Sequence, residues 1–248
     1  MRGWMKVALA GALVAHAAPA AEITVLSGGA IEPGLKAAAA AFEKQTGHTV
    51  KITFNTAPQM RARVAAGELF DVVIAPPKAV EEFAAAGKVG GERVNVGRVG
   101  VGAAVRPGAP LPDLSSVEAL RKSVLEAESV VFNRASSGLY FEALLKKLGI
   151  YGEIEAKAVR YATGAEVMEH LLYRGKGREI GFGPITEILL YREKGLRLAG
   201  PLPLEVQNYT SYIAVPMAGG ANRELAQDFV RFLGGPSGKP LFVAAGID

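Results

Sequence analysis

Three small residues at the start of a helical pattern could form an anion site. Ser136, Ser137 and Gly138 directly precede a segment whose apolar residues recur at helical spacing as far as Leu148. A helix start leaves N–H groups without intrahelical partners and carries the positive end of the helix dipole, which attracts anions. The same residues also suit a simple helix cap, in which a serine hydroxyl accepts a hydrogen bond from a free N–H group.

Similar loops recur along the chain, each just before a predicted helix. Four of the loops combine glycine with serine, threonine or asparagine, namely 26–30, 132–138, 161–166 and 182–187, and two more lie at 54–58 and 75–77. In open parallel sheets such loops meet at the carboxyl ends of the strands, where ligands bind. Their convergence favours a site for a small anion. The candidate ligand-binding residues are Ser27, Gly28, Asn55, Thr56, Arg134, Ser136, Ser137, Gly138 and Gly183.

Arginine side chains near these loops could hold a carboxylate, since the planar guanidinium group binds both oxygens. The candidates are Arg61, Arg63, Arg134 and Arg160. Each also fits a solvated surface position, which is the commoner place for arginine because an unpaired buried charge is costly.

The residues that usually carry catalysis are sparse. The chain has no cysteine, and after residue 20 it has two histidines, His48 and His170, neither in a metal-ligand spacing. It contains no G-x-S-x-G nucleophile motif and no phosphate-binding P-loop. We therefore expect no metal and no cofactor, and no residue is assigned a catalytic role on these grounds.

The elements that would position the loops alternate between short apolar runs and helical segments, which is typical of β-α units on a largely parallel sheet. Two long extended runs, 93–105 and 208–216, interrupt the alternation. They predict an α/β fold with two lobes, whose two mixed or parallel sheets are joined by two crossover segments. We expect residues 21–103 and 214–248 to form lobe 1 and residues 104–213 to form lobe 2, with the ligand in the cleft between them.

The first twenty residues resemble a secretory signal peptide. Arg2 and Lys6 precede the apolar run 7–15, and small residues at 18–20 suit cleavage. The run has about half the ~20 residues needed to span a bilayer. Without this segment 26 Lys and Arg face 24 Asp and Glu, and no basic block with interleaved aromatic residues supports nucleic-acid binding. We expect a monomer in the periplasm or secreted, with no nucleic-acid partner.

Four segments of the chain resemble the periplasmic molybdate-binding-protein-like family of ABC-transporter solute-binding proteins. They are residues 23–57, 66–76, 136–150 and 226–247. The resemblance implies the two-lobed fold of periplasmic binding proteins, a small anionic ligand and a transporter permease as a partner. It covers essentially all of the chain after the signal segment.

The family's molybdate-binding positions are not all kept. Ala30 and Ala57 stand where the family has hydroxyl-bearing residues, and Pro184 stands near its tyrosine. In the loop before the helix at 139, Ser137 falls where the family uses a backbone N–H group. The resemblance therefore implies an organic carboxylate or an oxyanion other than molybdate.

The chain also resembles aconitate isomerase, which implies an alternative function. That reaction moves an allylic proton, so it needs a base as well as groups that hold three carboxylates. Glu166, Tyr140 and His170 are the candidates for the base, and the four arginines could hold the carboxylates. Because neither histidine falls in a predicted cleft loop, the sequence favours a binding protein over an enzyme.

Overall fold

The computed structural model describes residues 20–248, so the predicted signal segment lies outside the described residues except for Ala20. Within this range the strands, in chain order, are β1 (Glu22–Gly28), β2 (Thr49–Asn55), β3 (Val72–Ala75), β4 (Val94–Val105), β5 (Ser129–Asn133), β6 (Ala158–Tyr161), β7 (Glu179–Pro184), β8 (Arg197–Pro201) and β9 (Tyr209–Pro216). No helix within residues 20–248 is both long and apolar enough to cross a membrane.

The α-helices connect and cover these strands. In chain order they are α1 (Glu32–Thr46), α2 (Ala57–Ala65), α3 (Pro77–Ala85), α4 (Val117–Glu126), α5 (Ser136–Lys147), α6 (Tyr151–Ile154), α7 (Gly164–Tyr173), α8 (Ile185–Leu190), α9 (Arg223–Gly234) and α10 (Lys239–Ala244). Short 3₁₀ turns, including Gly29–Ile31 ahead of α1, complete the chain. Helix α1 stops where Gly47 adopts a φ of 75°, a left-handed conformation that glycine tolerates without a steric penalty.

Strand β4 belongs to both halves of the molecule. Its residues 94–100 pair antiparallel with β9, and its residues 101–105 pair antiparallel with β7 and β8. The strand order is β2-β1-β3-β9-β4-β7-β5-β6, with β8 beside β4. β1 runs parallel to β2 and β3, and β5 runs parallel to β6 and β7. Each half is therefore a mixed sheet with a parallel centre, as the alternation of strands and helices predicts.

The chain returns to the first half just before β9, and there Gln207 contacts β4 at Val101. The side-chain oxygen of Gln207 accepts a hydrogen bond from the Val101 N–H group at 3.0 Å, and its amide nitrogen donates to the Val101 carbonyl at 3.0 Å. The Val101 N–H group also donates to the Asn208 backbone carbonyl at 3.2 Å, so the Gln207 side chain adds to the backbone pairing of the two crossing segments. This contact is the point at which both connections pass between the halves.

Separate hydrophobic cores stabilise the two halves. Phe42 and Phe229 pack edge to face at 5.0 Å in the core of the first half. In the second half Phe141 stacks on Phe182 at 3.8 Å and meets Phe132 edge to face. The predicted α/β fold with two lobes is confirmed. The boundaries of 21–103 with 214–248 and of 104–213 stay a prediction.

Phe141→Ala is expected to destabilise the protein strongly. The ring is fully buried, and truncating a buried phenylalanine typically costs about 3–5 kcal/mol because it leaves a cavity. Leu139→Ala on the same helix is the matched control, since Leu139 is 52% exposed and exposed substitutions change stability by about 0.5 kcal/mol or less. Urea unfolding of both variants would measure the difference. Equal losses would show that α5 does not anchor the second core.

Candidate functional site

A cavity lies between the two halves at the carboxyl ends of the parallel strands. The space between its lining atoms, the open mouth included, is about 490 Å³. The first half and the crossing strands contribute Gly28, Gly29, Ala30, Asn55, Thr56, Ala57, Met60, Pro76, Val99, Gly100, Thr210 and Tyr212. The second half contributes Asn133, Ala135, Ser136, Ser137, Gly164, Pro184 and Glu187. None of these residues is a lysine or an arginine.

The start of α5 is held by an asparagine and not by the serines. The Asn133 side-chain oxygen accepts hydrogen bonds from the N–H groups of Ala135 at 2.8 Å and Gly138 at 3.1 Å. Its amide nitrogen donates to the Ser137 hydroxyl oxygen at 3.0 Å. Within residues 20–248, no hydrogen bond uses the backbone N–H groups of Ser136 and Ser137. These two groups and the Ser136 hydroxyl are therefore free to bind a ligand.

Gly138 has a packing role in this arrangement. A Cβ atom at this position would lie 1.9 Å from the carbonyl oxygen of Asn133, which is far inside contact distance. Glycine therefore lets α5 approach the end of β5 closely enough for Asn133 to bond the first turn of the helix.

Two further helix starts face the same cavity. At α2 the Gln59 side chain accepts hydrogen bonds from the Thr56 N–H group at 2.8 Å and the Thr56 hydroxyl at 3.0 Å. At α7 the Glu166 carboxylate accepts the corresponding bonds from Thr163. First-turn N–H groups have no intrahelical acceptor, and no residue within 20–248 bonds the N–H groups of Ala57 and Gly164. Both halves thus direct unpaired donors to one cleft.

The predicted ligand-binding residues divide into two groups in the structure. Five of them line the cavity, namely Gly28, Asn55, Thr56, Ser136 and Ser137. Four do not line it, namely Ser27, Arg134, Gly138 and Gly183. Ser27 is buried and donates its hydroxyl proton to the Gly28 carbonyl at 3.2 Å. The assignment of all nine to ligand binding stays a prediction.

The four arginines lie outside the cavity lining. Arg61 pairs with Glu82, and Arg160 pairs with Glu142 at 2.5 Å. Arg63 pairs with Glu68 at 2.6 Å and also donates to the Asn55 side-chain oxygen at 2.8 Å. Arg134 is exposed, and its N–H group donates to the Tyr161 carbonyl. Anion binding in this cleft would therefore rely on uncharged donors.

The three candidate bases also have other partners and lie outside the cavity lining. Glu166 caps α7, and the Tyr140 hydroxyl donates to the Val206 carbonyl at 2.7 Å. His170 lies 2.9 Å from the Tyr161 hydroxyl and 3.4 Å from the Glu179 carboxylate. Within residues 20–248 no three His, Cys, Asp or Glu side chains cluster as metal ligands would.

Glu187 is a cavity residue that the sequence does not reveal on its own. One carboxylate oxygen, Oε2, is buried and has no hydrogen-bond partner within residues 20–248. Burial, and to a smaller extent the charge of Glu32, raises the pKa of Glu187 to about 7. Glu187 lies in the first turn of α8, at the end of the segment 182–187 that the sequence predicts as a loop. Its position near the cleft follows from the strand-loop pattern, whereas the burial of Oε2 follows only from how the halves pack.

Two glycines on opposite sides of the cleft make room for the Glu187 carboxylate. A Cβ atom on Gly164 would lie 1.7 Å from Oε2, and one on Gly29 would lie 3.0 Å from Oε1. The neighbouring Thr186 hydroxyl donates to the Ala30 carbonyl. Helix α8 of the second half therefore contacts the turn before α1 of the first half at the edge of the cavity.

Tyr212 of β9 also lines the cavity. Its ring packs on Gly28, where a Cβ atom would lie 2.5 Å from the ring carbon Cε1. Burial, with a smaller effect of the Glu187 charge, raises the pKa of its hydroxyl. Tyr212 therefore stays protonated at neutral pH and can donate a hydrogen bond to an anion.

Two α/β halves that enclose a cleft of backbone donors define the fold of periplasmic binding proteins. The chain belongs to the bacterial extracellular solute-binding protein family, which its residues 23–248 match. Among solved structures it is similar to the periplasmic molybdate-binding protein of Azotobacter vinelandii, with 20% identity and a TM-score of 0.76 over 91% of this chain and 98% of that one. The sulfate-binding protein SubI of Mycobacterium tuberculosis H37Rv gives 18% identity and a TM-score of 0.73 over 92% and 86%.

Two relatives of similar sequence have names that state different functions, one an enzyme and the other a binding protein. The chain is 30% identical to an aconitate isomerase of Pseudomonas sp over 88% of this chain and 84% of the relative. It is 28% identical to the molybdate-binding protein ModA of Azotobacter vinelandii over 97% and 95%. The predicted resemblance to the molybdate-binding-protein-like family and to aconitate isomerase is confirmed.

Gly138→Ala is expected to destabilise the protein by about 1–3 kcal/mol, because the new methyl group would overlap the Asn133 backbone. Gly152→Ala is the matched control. Gly152 is also helical and has open space around its Cβ position, so alanine there should be neutral or slightly stabilising. Thermal unfolding of both variants tests the difference. A Gly138→Ala variant as stable as the control would contradict the packing role of this glycine.

Proposed function

We propose that this chain is a periplasmic solute-binding protein that captures a small organic-acid anion in the cleft between its halves. The observation that carries the proposal is the convergence of the starts of α2, α5 and α7 on one cavity, with unpaired N–H groups at Ala57, Ser136 and Gly164. N–H groups at helix starts stabilise negative charge without a cationic side chain.

The rest of the lining favours a ligand with a carbon skeleton over a compact oxyanion. Met60, Val99 and the Tyr212 ring present apolar surface to the cavity. Ala30 and Ala57, which also line it, supply no hydroxyl donors. Mixed apolar walls with a few polar groups are typical of sites for small organic ligands. The relative that is named for its action on aconitate is consistent with a carboxylic-acid ligand.

A binding protein of this type would deliver its ligand to a membrane permease of an ABC importer. The family to which the chain belongs is extracellular, which supports a role in capture outside the cytoplasm. The buried hydrogen bond from Thr186 to the Ala30 carbonyl joins the halves beside the cavity. Ligand binding would stabilise this closed arrangement because the ligand contacts both halves at once.

Calorimetry with di- and tricarboxylates tests the proposed ligand class. At least one organic acid should bind more tightly than molybdate or sulfate. Ser136→Ala should weaken its binding by about tenfold to a hundredfold, the usual loss for a hydrogen bond to a charged group. Ser237→Ala, a change at an exposed serine of the loop before α10, is the control and should leave affinity unchanged. Tight binding of molybdate with no organic-acid binding would overturn the proposal.

An isomerase is the second candidate, and Glu187 is the observation that favours it. A 1,3-proton shift needs a base that removes a proton from one carbon and returns it to another as the double bond moves. A carboxylate with one buried oxygen and a pKa raised to about 7 has the basicity that such a step requires at neutral pH. It lies in the cavity, whereas Glu166, Tyr140 and His170 do not.

Incubation with trans-aconitate, followed by NMR, distinguishes the two candidates. An isomerase would form the cis isomer at a sustained rate, and Glu187→Gln would reduce the rate by about a hundredfold or more because general-base catalysis contributes roughly that factor. Glu166→Gln is a control for loss of a carboxylate outside the cavity. Unchanged trans-aconitate after prolonged incubation with protein that binds it would exclude the isomerase.

A further inference from the structure

Glu187 is an acidic side chain in a cleft whose other polar groups attract anions. Its neighbours are groups that attract anions, yet it is itself an acid whose Oε2 oxygen has no partner within residues 20–248. A buried polar oxygen without a partner is costly, and a second anion beside a carboxylate is costlier still. An anion that binds here must therefore provide a hydrogen-bond partner for Oε2 and avoid repulsion by the Glu187 charge.

Among the described residues 20–248, no cationic side chain interacts with Glu187 to offset its charge. The titratable groups that interact with it are Glu32 at the start of α1, Tyr212 of β9 and Tyr191 just after α8. Glu32 is paired with Lys36 at 2.5 Å, and neither residue lines the cavity. Among the residues that line the cavity none is a cation. A proton is then the smallest positive group that can lie between Glu187 and an anion.

We propose that Glu187 and the bound anion share one proton, so that the cleft selects either a ligand that brings a hydrogen-bond donor or a ligand that binds together with a proton from solvent. The inference rests on the proposed function, and it names the ligand class of that site more narrowly. A hydroxy acid brings the donor in its hydroxyl group. A fully ionised acid without a hydroxyl group binds only when Glu187 is protonated.

The two ligand classes should differ in their pH dependence. The raised pKa of about 7 means that Glu187 loses its proton as the pH rises through neutrality. Binding of an ionised acid without a donor should then weaken by about tenfold per pH unit between about pH 7.5 and pH 9. Binding of a hydroxy acid should change little over the same range, because the ionised carboxylate accepts the hydroxyl proton.

Two pairs of acids isolate the hydroxyl group. L-malate and succinate differ by one hydroxyl, as do citrate and tricarballylate, and all four are essentially fully ionised above about pH 7.5. At about pH 8.5 the hydroxyl-bearing member of the pair that binds should be favoured by at least about tenfold. Glu187→Gln should remove both this preference and the pH dependence, because its amide carries no charge. Glu32→Gln is the matched control and should keep the preference.

Proton uptake by the wild-type protein gives a test that needs no variant. Calorimetry in buffers of different ionisation enthalpy should show about one proton taken up per succinate or tricarballylate bound at about pH 8.5, and almost none per malate or citrate. Equal affinities within each pair, with no proton uptake, would overturn the inference and leave the proposed function intact. Absence of binding by every organic acid at every pH would overturn the proposed function itself.

Discussion

The first-turn N–H groups of several helices need partners that their own helices cannot provide, and both halves of the molecule direct such groups into one cleft. At α5 a buried asparagine satisfies one first-turn donor and leaves those of Ser136 and Ser137 unpaired. In the proposed function an anion would complete this set without a lysine or arginine, whose burial would require its own compensation. The remaining features of the site, the glycines and the small hydroxyl residues, keep bulky groups away from these donors.

The order of strands and helices could be predicted because it depends on local patterns of apolar and polar residues. Alternating apolar runs and helical segments indicate parallel units, and the two uninterrupted extended runs indicate the crossings between lobes. The loops could be placed at the cleft for the same reason, since topology fixes which ends of parallel strands coincide. Five of the nine candidate residues line the cavity, and all five belong to loops placed in this way.

The rest of the site depends on tertiary packing that local patterns do not encode. The two serines that begin α5 have the composition of a cap, but Asn133, three residues before Ser136 at the end of β5, makes the capping bonds. Arg61 and Arg160 are neutralised by glutamates 21 and 18 residues away, which no local pattern predicts. Glu187 and Tyr212 become cavity residues only when the two halves meet. The fold alone does not choose between binding and catalysis, because the same scaffold can carry either.

Gly29 and Gly164 have a consequence for how far the halves can approach. At each of these two positions the Glu187 carboxylate lies so close to the backbone that a side chain would contact it. Because packed interfaces contain few voids, the size of the residues in contact sets how closely two surfaces can approach. A larger residue at Gly29 would meet the Glu187 carboxylate of the other half and keep the halves farther apart, which would enlarge the accepted ligand and weaken its enclosure. A larger residue at Gly164, which belongs to the same half as Glu187, would displace the carboxylate itself. Related chains with the same fold can therefore differ in ligand size through one or two small residues of the cleft lining.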